Sequence, residues 1–554
     1  MEAFFDSSIG WTHERERFCF PEKKSTNRNT PKPVPIRPSD KLCTLVYEWT
    51  PEELSSVRLP PAWRRGGAAN ARACGGAAGC GRIGTMKTTS KKPAQALLER
   101  RTDAPPPAEM RKVEAYARDY LAFLGTAKTE RLAYAEAVKL LESKGFRPLD
   151  SFKTLKPGDK VWRGYHGKTL MAAVVGRKGT KAGLRIVGGH TDAPRIDLKS
   201  VPLAEKGGLA FFDTHYYGGI KKYQWVTIPL ALYGVVVRKD GTKAEIAVGD
   251  KPGDPVFLIS DILPHLGQDQ MAKPMRDAIP GESLDPIVGS LPEPGAKKGA
   301  KDAVKKNVLR LLLERYGVTE QDLASAELEV VPAGAPRELG FDRGLLVGYG
   351  HDDRVCAYAA LRALLDRPAA APERTAMVLL CDKEEIGSVG ATGMESTFFE
   401  NSVAELLERE EQAPRDIVVR RALEASQMLS ADVTSAADPH FPDVDSPGNA
   451  ALLHAGPCFN KYTGSRGKSG ANDARAEFLG ELRAVLDGAG VRWQIGELGK
   501  VDKGGGGTIA MFLSRYGMDV VDLGTPLLNM HAPWEAASKI DCWYTHRAYA
   551  AFLG

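Results

Sequence analysis

Cysteine is scarce: the chain has 8 in 554 residues, and no two form a C-x-x-C pair. That excludes a disulfide framework. Cys356, Cys381, Cys458 and Cys542 fall among apolar neighbours and read as reduced core thiols, as a reducing cytosol would keep them. No run of about twenty apolar residues occurs, so no membrane span is expected. The N-terminus has no basic stretch leading into an apolar one, so no secretory signal is expected either, and a cytoplasmic location follows. Excess charge is also small. The net is +5, and residues 1–85 alone carry 13 Lys and Arg against 9 Asp and Glu. The near-neutral remainder argues against a phosphate-tracking surface, and no nucleic-acid partner is expected.

What is present is ordinary for a globular protein, 43% hydrophobic and 26% charged, in a chain long enough for two or more domains. Residues 1–85 combine proline clusters (PKPVPIRP) with a Gly/Ala/Cys stretch and show no sustained period. They read as a disordered extension or as translated upstream sequence, with Met86 as the start. From 108 to 145 apolar residues recur at helical spacing, closed by Gly145. Strand-like runs follow: VWRGY, LMAAVVG and LRIVGG. Around 205–340 the texture turns β-rich (WVTIPLALYGVVV), with a low-complexity linker and one helix, NVLRLLLERYG. From 341 onward apolar strands alternate with helices. The expected fold is α/β, a mixed, largely parallel sheet sandwiched by helices, formed by residues 86–204 and 341–554 around an inserted β-rich domain at 205–340.

Three acidic or histidine motifs sit where an apolar strand ends. LRIVGG runs into His190 and Asp192, TAMVLLC into Glu384 and Glu385, and QMLS into Asp432; DVVDLGTPLLNM leads through a turn to His531. Loops beyond strand carboxyl ends converge on one crevice in open α/β sheets. Singly, each motif has an ordinary explanation. Adjacent glutamates are usually solvated surface, and Asp352-Asp353 at the start of RVCAYAALRALLD reads as a helix cap. Together, hard carboxylates with two imidazoles suit zinc, cobalt or manganese in a hydrolytic site. Asp192 lies two residues from His190, where a carboxylate can orient an imidazole. In the Glu384–Glu385 pair one carboxylate can hold metal while the other moves a proton.

The strings GGHTDAPRID, GYGHDDRVCAY, LLCDKEEIGSVGATG, LSADVTSAADP and DLGTPLLNMHAPWEAASKID resemble, in order, the aspartyl aminopeptidase and vacuolar aminopeptidase I family of di-zinc metallopeptidases, with GPCFNKYTGSRGKSGANDA closer to a bacterial branch. The resemblance implies a zinc-exopeptidase-like catalytic domain with an inserted dimerisation domain. It also implies hydrolysis of the N-terminal residue of peptides, and a homo-oligomer, commonly a dodecamer built from dimers. It implies two divalent ions per chain, zinc foremost, held by His190, Asp352, Glu385, Asp432 and His531. Asp352 is then the shared carboxylate, Glu384 the general base and Asp192 the residue that orients His190. His265, His351 and Lys461 become candidate substrate residues, with Arg466 and Lys468 near an acidic side chain and Gly504–Gly507 offering backbone amides. The chain departs from the eukaryotic pattern at His351-Asp352-Asp353, where Leu-Asp-Asn is usual, and at Ser435 and Asp438. The preferred N-terminal residue therefore stays open. So do a deacylase or carboxypeptidase of similar chemistry and a non-catalytic shell or cargo protein.

Overall fold

Four strands buried along most of their length, Thr375–Cys381, Leu184–His190, Gln427–Ser430 and Asp519–Gly524, run parallel and adjacent at the centre of a nine-stranded sheet. The computed structural model describes residues 100–411 and 415–554, all within the unit Pro93–Gly554. The expectations for 1–85 and for Met86 lie outside the described residues.

Successive side chains of a strand point to opposite faces. Val187, Val378, Leu429 and Val521 therefore enter one apolar core, and their neighbours Ile186, Met377, Met428 and Val520 enter another. Helices Pro107–Thr126, His351–Leu365, Ala476–Gly488 and Lys539–Leu553 close the first core. Helices Phe398–Glu411 and Asp416–Glu424 close the second. Each such side chain contributes roughly 1.5–3 kcal/mol by leaving water, which is why these strands read as continuous apolar runs. Antiparallel strands flank the parallel centre, Thr169–Val174 on one side and Cys458–Asn460 on the other. The sheet is thus mixed and largely parallel, with helices on both faces.

The helical stretch at 108–145 is two helices, Pro107–Thr126 and Glu130–Ser143. Thr129 leaves helical geometry (φ −132°, ψ 165°), and its hydroxyl accepts from the Leu132 amide at 3.3 Å. That cap starts a new helix where periodicity alone continues the old one.

A second, wholly antiparallel sheet of six strands opens at Arg195–Lys206 and ends at Ala326–Pro332. Its first strand precedes position 205, because Arg195 follows the His190 loop almost at once. Buried ions join it to the main sheet: Lys168 Nζ lies 2.8 Å from Glu130, and Arg195 lies 3.5 Å from Glu130 and 3.2 Å from Glu329. Removing one partner of such a pair strands a buried charge, at a cost of about 3–5 kcal/mol. A third, five-stranded sheet carries the turn that presents His531. Cys356, Cys381, Cys458 and Cys542 are free and buried. Among the described residues no helix is long and apolar enough to cross a membrane.

Candidate metal centre

The carboxyl ends of the central parallel strands deliver three separate parts of the site. His190 closes Leu184–His190, Glu384 and Glu385 follow Thr375–Cys381, and Asp432 follows Gln427–Ser430. Asp352 comes from the start of helix His351–Leu365. Lys383 at φ 69° and Gly387 at φ 94° bracket a single 3-10 turn, Glu384–Ile386, which folds the two glutamates back over the strand ends.

Asp352 stands between the two imidazoles. Its Oδ1 is 3.3 Å from His190 Nε2 and its Oδ2 is 3.3 Å from His531 Nε2. Glu385 Oε2 lies 3.5 Å from His531 Nε2, and Glu384 Oε2 lies 3.9 Å from His190 Nε2. Ligand atoms of His190, Glu384 and Asp432 fall within 4.8 Å of one another, and so do those of His190, Asp352 and Glu385.

Asp192 organises this cluster from behind. Its Oδ1 accepts the Glu384 amide at 3.1 Å, and its Oδ2 accepts the Glu385 amide at 3.2 Å and the Tyr217 hydroxyl at 2.8 Å. Burial opposes its charge, but hydrogen bonds from His190 and Tyr217 hold the carboxyl below the usual range.

Both imidazoles have their tautomer set by a carbonyl. His190 Nδ1 donates to the Asp192 carbonyl at 3.0 Å and also lies 3.3 Å from the Asp192 carboxylate, and His531 Nδ1 donates to the Gly219 carbonyl at 2.9 Å. Each Nε2 then faces carboxylate oxygens, which requires either a proton on that nitrogen or a metal cation between them. Glu385 Oε1 and both Asp353 carboxylate oxygens are buried without a hydrogen-bond partner. Burial pushes Glu384 up to about 7 and lifts Glu385 and Asp432 well above the carboxylate range. Burial works against the charge on His531, yet its hydrogen bond to Asp352 and the charge of Glu385 raise it to about 10. A dication among these groups inverts that balance, holding the carboxylates ionised and the imidazoles neutral. The donor set fits divalent metal.

A cavity of about 730 Å³ opens over the cluster, lined by Asp352, Glu384, Glu385, Asp432 and His531, with Gly464–Gly470 and Gly504–Gly507 on its rim. Arg466 and Lys468 line it as well. The other candidate substrate residues fall elsewhere. His351 is fully buried, 2.7 Å from the Tyr120 hydroxyl, and is not among the residues that line the cavity. Lys461 lies beside the lining and pairs with Asp473 at 3.3 Å. His265 is exposed in the turn Pro264–Leu266, within the second-sheet segment and away from the lining.

Asp353, read from the sequence with Asp352 as a helix cap, joins Asp352 and Asp432 in a third group of potential ligands, and a further acid, Glu535, was not singled out by the sequence at all. Glu535 is buried, accepts the Asp352 amide at 3.0 Å and the His531 amide at 2.8 Å, and is pushed up to about 8 by burial and the Asp352 charge. The structure shows it opening the strand Glu535–Ser538, which is buried throughout, and in the sequence its signal was an acid four residues after His531.

Residues 123–553 match the family described as aminopeptidase I zinc metalloprotease (M18). A Clostridium acetobutylicum protein named "Probable M18 family aminopeptidase 1" is 48% identical over 449 residues, covering 80% of this chain and 96% of its own. A Thermotoga maritima protein of the same name is 46% identical over 442 residues, with the same coverage. The crystal structure of an M18 aminopeptidase from Thermotoga maritima superposes with a TM-score of 0.77 at 45% identity, over 80% of this chain and 96% of that one. That of aminopeptidase I from Clostridium acetobutylicum gives 0.77 at 46%, over 83% and 100%. At this identity and coverage the chain belongs to the M18 family of aminopeptidase I zinc metalloproteases and is itself a zinc-dependent aminopeptidase, a hydrolase of peptides.

Proposed function

We propose that the chain removes the N-terminal residue of peptides at a two-ion site shared through Asp352, with Glu384 as general base. The observation that carries this reading is Asp352 itself, one oxygen toward each of two imidazoles whose outer nitrogens are already committed to carbonyls. His190 and Asp432 would hold one divalent ion, His531 and Glu385 the other, with zinc foremost and cobalt or manganese of similar fit. Bound there, the ions would supply Lewis acidity toward the scissile carbonyl and the attacking water.

Glu384 takes a proton from that water as its oxygen adds to the carbonyl carbon, and returns it to the amine as the C–N bond breaks. One feature favours Glu384 over Glu385 for this work: its side chain is 16% exposed to the cavity against 4% for Glu385. Asp192 fixes both glutamate amides and the His190 ring, so the base and its neighbours keep one geometry. Water is the only co-reactant.

We extend the proposal to a homo-oligomer, a dodecamer built from dimers through the domain at 205–340. Exposed Leu263, Leu266, Met271, Met275 and Leu291 in that stretch support it, as does an S. cerevisiae relative described as an mApe1 dodecamer. The proposed location is the cytoplasm.

The test is zinc stoichiometry of purified protein, together with cleavage of aminoacyl-arylamides against N-acyl amino acids. Two ions per chain and arylamide cleavage are expected. One ion per chain, or preference for N-acyl substrates, overturns the reading.

A further inference from the structure

The second sheet reaches into the metal centre. Its strand Leu209–Tyr217 ends at Tyr217, and the next two residues are Gly218 and Gly219. Tyr217 is buried, and its hydroxyl donates to Asp192 Oδ2 at 2.8 Å, the same oxygen that receives the Glu385 amide. Gly218 adopts φ 76°, and a Cβ there would stand 3.4 Å from the Glu385 Cβ, so the chain turns against that glutamate. Gly219 offers the carbonyl that receives His531 Nδ1 at 2.9 Å. Three consecutive residues thus touch the carboxylate behind the glutamates, Glu385 itself and the ring of His531. Tyr217 is held in turn by Arg195, whose guanidinium lies 3.8 Å from its ring centroid while pairing with Glu329 at 3.2 Å. Partners that fix an imidazole or carboxylate from outside tune metal affinity as directly as the ligands do.

We propose that Tyr217 and Gly219 are positioning residues of the metal centre: Tyr217 locks Asp192 against the glutamate turn, and the Gly219 carbonyl fixes the His531 ring with Nε2 inward. The inference rests on the two-ion reading above. By it the second sheet is a structural half of the active site as well as an assembly surface.

Tyr217→Phe removes one hydroxyl and keeps the ring over Arg195. Gly219→Ala is permitted by its backbone but places a Cβ 3.2 Å from His531 Nδ1, so the imidazole must move. Tyr216→Phe, on a half-exposed neighbour, is the control. The readouts are zinc affinity by competition with a chromophoric chelator, kcat and KM measured separately, and thermal unfolding of the metal-free protein. Tyr217→Phe should lower kcat and zinc affinity each by roughly tenfold or more, leave KM unchanged, and keep a cooperative metal-free unfolding transition, lowered only by the loss of one buried hydrogen bond. Gly219→Ala should weaken one of the two zinc equivalents and spare the other. Tyr216→Phe should match wild type throughout. Wild-type protein that takes up no zinc overturns the site reading and this inference with it. Wild-type uptake with both variants indistinguishable from it overturns the inference alone. If Tyr217→Phe does not fold, the selective loss in Gly219→Ala decides.

Discussion

The floor and the rim of the cavity are built on opposite plans. On the floor, His190, Asp192 and Asp352 are at most 3% exposed, and each is tied to at least one partner from a different element. The rim is two glycine-rich loops. Gly464, Arg466, Gly467, Lys468 and Gly470 all take positive φ, and Ser465 to Gly470 are exposed. Its lysine is already engaged: Lys468 Nζ lies 2.9 Å from Asp473 and 3.9 Å from the Tyr462 ring centroid. The contrast separates two jobs. Chemistry needs groups held to a fraction of an ångström, so it sits where packing overdetermines position. Selection of a side chain tolerates loops that can vary.

The comparison breaks most visibly on the floor. Removing metal with a strong chelator should abolish peptidase activity and lower the unfolding temperature, since the clustered carboxylates lose their counter-charge; zinc should restore both. Activity that survives exhaustive chelation would sink the metal reading. Glu384→Gln should lower kcat by roughly 10²–10⁴-fold while zinc stoichiometry stays unchanged, as read by metal analysis beside steady-state kinetics. Coincident loss of zinc would make Glu384 a ligand rather than the base, a role its approach to His190 and Asp432 also permits.

Acid acts on the buried layer beneath the floor. Burial lowers His351 from its ordinary 6.5 to about 3, so the unfolded chain takes up this proton first. Its contribution to stability is therefore complete above pH ~6.5 and lost as pH falls toward ~3, with a limiting slope of about 1.4 kcal/mol per pH unit. His351→Asn, which preserves a group facing Tyr120, should flatten urea-unfolding stability against pH across that window in metal-free protein. An unchanged slope would count against a neutral buried imidazole.

The rim should respond more mildly. A Cβ on Gly504 would fall 1.7 Å from the Leu498 carbonyl oxygen, so Gly504→Ala must shift the loop. A loss of roughly tenfold or more in kcat/KM is expected from that displacement, with zinc retained. Lys468→Ala should do least. An exposed, already paired cation is worth about 0–1 kcal/mol, so KM for an acidic N-terminal residue should rise less than about fivefold. A larger effect confined to acidic substrates would move specificity onto this lysine.

Much of the site was legible because strand ends announce themselves. An apolar run that stops at His190, at Asp382 before Glu384, or at Ala431 before Asp432 marks both an element boundary and a place where a polar group is held rigidly. The break at Thr129 was not legible, since a hydroxyl cap competes with a helical period that continues through it. The place of His351 was not legible either. It neighbours Asp352 in sequence, yet its ring turns to Tyr120 while the Asp352 carboxylate turns to the two imidazoles.

By itself the sequence determined the parallel α/β core, the family and the residue types gathered at the site, because periodicity and local motifs are properties of neighbours along the chain. Only the tertiary structure decided that Asp352 stands between two imidazoles, that Asp192 gathers both glutamate amides, and that Tyr217 and Gly219 arrive from a second sheet to close the cluster. Those contacts join residues up to 312 positions apart. Their register is set by how sheets pack, and no local pattern in the chain encodes it.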